Sequence, residues 1–253
     1  DLHRAAPPAV AKRLGLQGVS VEGAFVSVAA HLPASAIVIN RTIGLGLQQP
    51  ASGNAVRAVV DAYDASGVSR YFVHLHPEAE PPGLRDSLGE MGLEQARGWQ
   101  KFTRDRAPVP DRTTALKVRE VDRGHGDAFG RIVAAAFDLG DEAAPWLAEL
   151  PGRDGWHIFM SFENGEAAGT GALFVQGRSA WLDYGATRPE FRRRGSQGAI
   201  LAARLRLALD LGCERMFTCT GVAASGDPQH SYGNILKLGF RKAYVRENYS
   251  PPG

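Results

Sequence analysis

The chain has 253 residues, 44% hydrophobic and 22% charged, a composition that supports a sizeable core and excludes extended disorder. Its 29 basic and 27 acidic side chains leave a net charge of +2, so composition gives no sign of a nucleic-acid partner. Two cysteines, Cys213 and Cys219, cannot staple a chain of this length, which excludes a disulfide scaffold.

The first residues, DLHRAAPPAVAKRLGLQG, lack the apolar run of a signal peptide. No later stretch approaches the roughly 18 apolar residues of a membrane span. A cytoplasmic protein is expected, although the chain begins at Asp1 and a removed leader stays open. Residues 1–18 read as a short helix entered through two prolines. Residues 23–30 (GAFVSVAA) and 36–43 (AIVINRTI) read as strands, 55–65 as a helix stopped by Ser66 and Gly67, 71–75 as a strand and 83–91 as a helix. The charged, proline-containing segment 101–111 (KFTRDRAPVPD) reads as a linker. With the domain boundary set at 106–112, it divides a first domain, 1–105, from a second, 113–253.

The second half follows the same grammar. Strand 116–121 leads to helix 126–139 and a short helix 143–150. A hairpin joins 156–162 to 167–175 around Asn164 and Gly165. Strand 181–187, helix 196–211, strand 215–220, helix 229–238 and strand 240–249 complete it. GVSRYF from Gly67 aligns with GCERMF from Gly212, an offset of 212 − 67 = 145. MGL at 91–93 aligns with LGF at 238–240, an offset of 239 − 92 = 147. Two offsets this close point to an internal duplication.

The stretch from Thr187 to Gly198, TRPEFRRRGSQG, joins a strand to a helix through a Pro turn, three arginines and two glycines. The first turn of a helix offers unpaired N–H groups and a positive dipole end, which suit a phosphate. Gly195 and Gly198 allow close approach of a ligand, and Arg192, Arg193 and Arg194 add positive charge. On the helix itself Leu201, Leu205 and Ala208 form the apolar stripe, with Arg204, Arg206 and Asp210 placed elsewhere.

These residues resemble the GNAT superfamily of acetyl-CoA-dependent N-acyltransferases, whose pyrophosphate signature is Arg/Gln-x-x-Gly-x-Gly/Ala. The run from Arg192 to Gly195 fits, whereas Gln197 replaces the last small residue and Gly198 follows one later. The Thr187, Pro189, Phe191 lead-in and the closing LKLGF at 236–240 also match, and the resemblance covers about 113–250. It implies an α/β fold with a mixed, mostly antiparallel sheet. The first half would then be a degenerate tandem copy. Shifting the motif back by 145 puts Gly195 on Pro50 and the arginines on Leu47, Gln48 and Gln49, so one acetyl-CoA site per chain is expected.

What the resemblance implies is acetyl transfer to a primary amine of a small molecule by direct attack in a ternary complex. Backbone groups of Gly185, Ala186 and Thr187 would bond the pantetheine arm. Amides from Arg193 through Arg194, Gly195, Ser196, Gln197 and Gly198 to Ala199 would cradle the pyrophosphate. Asn234 and Ser231 would face the same groove. Asp183, an acid interrupting an apolar strand, is the candidate base, with a salt-bridged or solvated role as the alternative. Tyr232 is the candidate acid, because Ile235 stands where the family often has Tyr; His230 or water are the alternatives. Glu190 reads as solvated, Cys213 and Cys219 as packing residues, and His74 with His76 as a polar strand face rather than a metal site. No metal, nucleic acid or membrane is expected, and a homodimer stays open. A CoA-responsive module without turnover and a different acyl donor are the competing functions.

Overall fold

The computed structural model describes residues 2–224, 226 and 229–253. Eleven strands form one mixed sheet: β1 (Leu16–Val21), β2 (Ala24–Ala29), β3 (Arg41–Ile43), β4 (Phe72–Leu75), β5 (Glu94–Arg104), β6 (Lys117–Val121), β7 (Trp156–Glu163), β8 (Glu166–Gln176), β9 (Ser179–Thr187), β10 (Arg215–Gly221) and β11 (Arg241–Ser250). Their spatial order is β1-β2-β3-β4-β11-β5-β10-β9-β8-β7-β6. The β3–β4 and β9–β10 pairs are parallel.

That order shows that the two halves exchange their last strands. β5 ends the first half yet pairs with β10, and β11 ends the second half yet pairs with β4. The two exchanged strands then pair antiparallel with each other. Trp99 faces Arg246 in that ladder, and 246 − 99 = 147 is the repeat offset read from the sequence. A local two-fold relation between the halves therefore passes through this pair. Each half needs the other's strand to complete its sheet.

The helices are α1 (Leu2–Ala5), α2 (Pro8–Leu14), α3 (Ala55–Ala65), α4 (Leu84–Glu90), α5 (Gly126–Ala136), α6 (Ala144–Leu147), α7 (Ser196–Asp210) and α8 (His230–Lys237). One face of the sheet carries α1, α2, α5 and α6 around Leu14, Phe129, Trp146 and Ile158. The other carries α3 and α4 around Val59 and Leu88, and α7 and α8 around Leu205 and Leu238. α3, β4, α4 and β5 recur as α7, β10, α8 and β11, with helix ends 210 − 65 = 145 and strand starts 241 − 94 = 147 residues apart.

Three expectations are corrected. Residues 16–21 form β1, not the end of a helix; Gly15, with φ of 61°, stops α2 and turns the chain into an edge strand. Residues 34–38 form a 3-10 helix after Pro33, leaving only Arg41–Ile43 as strand. Lys101 and Arg104 belong to β5, near the middle of the sheet, rather than to a linker. Arg104 is only 2% exposed. Its guanidinium donates to the carbonyls of Leu238, Asp105, Ala107 and Pro108, holding the crossover between the halves. Residues 105–116 have neither helix nor strand.

Candidate active site

β9 and β10 are hydrogen-bonded only as far as Trp181 opposite Phe217, and beyond that pair they diverge. Two features force the divergence. β9 has one extra residue against β8 between Asp183 and Ala186, a bulge in which Tyr184 takes a φ of 49°. Arg204 of α7 then pins the bulge, its Nη1 donating to the carbonyls of Ala172 at 2.7 Å and Asp183 at 2.9 Å. Burial lowers the Arg204 pKa to about 10, with Asp183 acting in the opposite direction. Its guanidinium fits because residue 171 is glycine: a Cβ there would lie 2.6 Å from Arg204 Cζ. Arg204 therefore does not stand off the apolar stripe, as the sequence had it; it is buried within it. Its spacing of three residues from Leu201 and four from Ala208 was the available signal.

A cavity of about 360 Å³ opens in the gap between β9 and β10. Strand alternation puts Thr218 and Thr220 towards α7 and α8, and Cys219 and Gly221 towards the opposite face, so the cavity passes through the sheet. On the α7 side it meets Gln197, Ser231 and Ile235; on the opposite face it meets Asp183, Arg41 and Trp99. The last two come from the first half of the chain.

The expected base, Asp183, lies in this cavity. Its carboxylate accepts from Trp181 Nε1 at 2.9 Å and from the Tyr184 amide at 2.8 Å. Gly185 also lines the cavity, Ala186 is buried, and the Thr187 hydroxyl is buried without a hydrogen-bond partner. Lys101 is the neighbouring cation, 4.6 Å from the Trp181 ring centre. Burial lowers its pKa to about 8, with Cys219 and Asp183 opposing the fall.

At the start of α7, Gly195 takes a φ of 82° and supplies no side-chain cap. A Cβ there would sit 2.8 Å from the Thr113 carbonyl oxygen, so this position needs glycine for its own fold. Gly198 has only Arg112 near its missing Cβ, at 3.7 Å. The amides of Ser196, Gln197 and Gly198 are therefore open at the helix end, whereas that of Ala199 donates to the Gly195 carbonyl. Arg192 and Arg193 are exposed and make no ion pair among the described residues. Arg194 instead forks onto Glu163 at 2.6 and 2.5 Å. An uncapped helix end, two unpaired arginines and the orphaned Thr187 hydroxyl fit a CoA pyrophosphate and pantetheine arm.

Side chains beside the loop are fixed by one another. Ser196 Oγ meets Ser161 Oγ at 2.7 Å. Gln197 donates to Ser231 at 2.8 Å and accepts from Asn234 at 2.7 Å, which ties α8 to α7. Tyr232 points elsewhere. It packs edge-on to Phe102, with Lys242 over its ring, and does not line the cavity. The expected proton donor is therefore not at the site; Ile235 is. His230 is exposed. His74 is buried against Asn248 and His76 packs on Tyr244, so the pair serves the sheet.

Residues 130–232 match the family model described as the acetyltransferase (GNAT) family. In structure the chain is similar to a GCN5-related N-acetyltransferase from Kribbella flavida, with 15% identity and a TM-score of 0.68 over 100% of this chain and 95% of that one. It is also similar to a functionally unknown conserved protein from Staphylococcus epidermidis, at 10% identity and TM-score 0.62 over 98% of each chain. A tandem GNAT protein from the clavulanic acid biosynthesis pathway aligns at 14% identity and TM-score 0.57, over 83% of this chain and 73% of that one. No curated protein matches the chain by sequence. Residues 130–232 thus match the acetyltransferase (GNAT) family, and the chain as a whole has the fold of solved GCN5-related N-acetyltransferases.

Proposed function

We propose that the chain transfers an acetyl group from acetyl-CoA to a primary amine of a small molecule, by direct attack in a ternary complex, at one site per chain. The observation that carries this reading is the cavity crossing the sheet between β9 and β10, with an uncapped helix end on one side and a carboxylate on the other. The amides of Ser196, Gln197 and Gly198, with Arg192 and Arg193, would hold the pyrophosphate. Backbone groups of Gly185, Ala186 and Thr187, at the free edge of β9, would bond the pantetheine arm and polarise the thioester carbonyl.

The amine enters from the face bearing Arg41 and Trp99. Asp183 accepts its proton, the nitrogen attacks the carbonyl carbon, and collapse of the tetrahedral adduct breaks the carbon–sulfur bond. Water at the cavity mouth protonates the thiolate, since no hydroxyl of Tyr232 reaches it. Free-thiol release from acetyl-CoA across a panel of amines tests this reading; binding of acetyl-CoA with no release for any amine contradicts it. That second outcome would support a CoA-responsive module, a reading favoured by the buried, apolar Ile235 in the cavity wall.

A further inference from the structure

The face of the cavity opposite α7 has an unusual charge balance. Strand pairing puts Arg41, Trp99, Lys101, Arg246 and Asp183 on one side of the sheet: Trp99 is opposite Arg246 and Gly221, Lys101 is opposite Cys219, and Phe217 is opposite Trp181, two residues before Asp183. Lys101 is 9% exposed and Arg246 8% exposed. Nε and Nη2 of Arg246 are buried with no hydrogen-bond partner, and its guanidinium lies 4.9 Å from the Trp99 ring centre. Arg41 lines the cavity and makes no ion pair or hydrogen bond among the described residues. Arg204 also lines it, bonded to the backbone carbonyls of Ala172 and Asp183. Among the described residues lining the cavity, Asp183 is the carboxylate, and Arg41, Lys101 and Arg246 stand on its side of the sheet.

Burying cations without counter-charges is costly, and a site that does so stabilises an anion that arrives from outside. The neighbours also lower one another's affinity for protons: Arg41 and Arg246 both act to lower the Lys101 pKa. A simple alkylamine would enter this chamber as one more cation. An amine that also carries an anionic group would bring the missing charge, with its nitrogen left for Asp183.

We propose that the acceptor bears a carboxylate or a phosphate besides its amine, and that Arg41, supplied by the first half of the chain, grips that anion. The proposal rests on the transferase reading and names its substrate class. It also gives the first half a task in the reaction: it reads the acceptor, while the second half holds the acyl donor.

The test uses matched pairs that differ only in the anion: α-amino acids against their methyl esters, and O-phosphoethanolamine against ethanolamine. Thiol release and, separately, calorimetric binding to the full chain with CoA present are measured for each. The anionic member of the accepted pair should show kcat/KM and affinity higher by about tenfold or more, the factor that a charge-assisted hydrogen bond supplies. The amino-acid and phosphate arms separate the two anions. Arg41→Gln should bring the ratio near one by raising KM, Arg41→Lys should restore part of it, and acetyl-CoA affinity should not move in either. Equal or better use of the neutral members, or a ratio unchanged in Arg41→Gln, overturns the proposal. So does failure of every anionic amine to bind. Anion-selective binding without thiol release would instead refute the transferase reading and leave the anion site standing.

Discussion

The starts of α7 and α3 hold equivalent places in the two halves and differ in each property an anion would use. α7 begins at Ser196, behind an uncapped Gly195 and two unpaired arginines. The equivalent of Ser196 is residue 51, since 196 − 145 = 51, yet α3 does not begin until Ala55. Pro50 has no N–H to offer there. The amide of Ser52, equivalent to Gln197, already donates to the carboxylate of Glu22 at 2.7 Å, and the Ser52 hydroxyl bonds the same group. At the equivalent place the first half thus sets a carboxylate on the amide, and these bonds hold the Glu22 carboxyl below the usual range. On the proposed reading, one architecture keeps a phosphate cradle open in the second half and closes it from within in the first.

The largest effect that sharpens this contrast concerns Asp183, which belongs to the second half. Asp183→Asn should lower kcat by about 10²- to 10⁴-fold, the usual range for a proton-transfer group, with acetyl-CoA affinity unchanged in calorimetry. An unchanged rate removes Asp183 as the base. Next comes Gly195→Ala, which forces a Cβ against the Thr113 carbonyl at a positive φ. It should weaken acetyl-CoA binding by about tenfold, at a strain of about 1–3 kcal/mol; equal affinity would show that the helix end does not carry the pyrophosphate.

A third expectation concerns acid, and it bears on the first half. Burial holds the His74 pKa well below 6.5 and lowers that of His3 to about 4. The unfolded chain takes up protons below about pH 6.5 that the folded chain refuses, so stability is present above that pH and falls as pH drops towards 4. Each fully buried histidine of this kind contributes a slope of about 1.4 kcal/mol per pH unit in that window. Urea midpoints from pH 7 to 4.5 should fall in the native chain and fall less in His74→Gln. Glu22→Gln should have the smallest effect. It removes the negative charge that faces the Ser52 amide, yet Pro50 and the absent arginines still deny the first half a second acetyl-CoA.

Much of this plan was legible in the residues because it rests on local signals. Asn164 and Gly165, with φ of 50° and 88°, make the hairpin turn that their identities announce. TRPEFRRRGSQG marks the strand-to-helix loop, and the offsets of 145 and 147 recur in the element boundaries. The exchange of β5 and β11 was not legible, since strand pairing over such distances leaves no local trace. Buried cations misled for a related reason. Lys101 and Arg104 read as part of a linker and Arg204 as lying off the apolar stripe, yet aromatic rings and backbone carbonyls hold each inside. Tyr232 was placed in the groove by spacing along α8, and Phe102 of the exchanged β5 draws it to the other side.

The account turns on one open cradle and one closed from within. Calorimetric titration of the full chain with acetyl-CoA tests it most directly. One molecule bound per chain, abolished or weakened by Gly195→Ala and untouched by Glu22→Gln, is the predicted result. Two molecules per chain would contradict it.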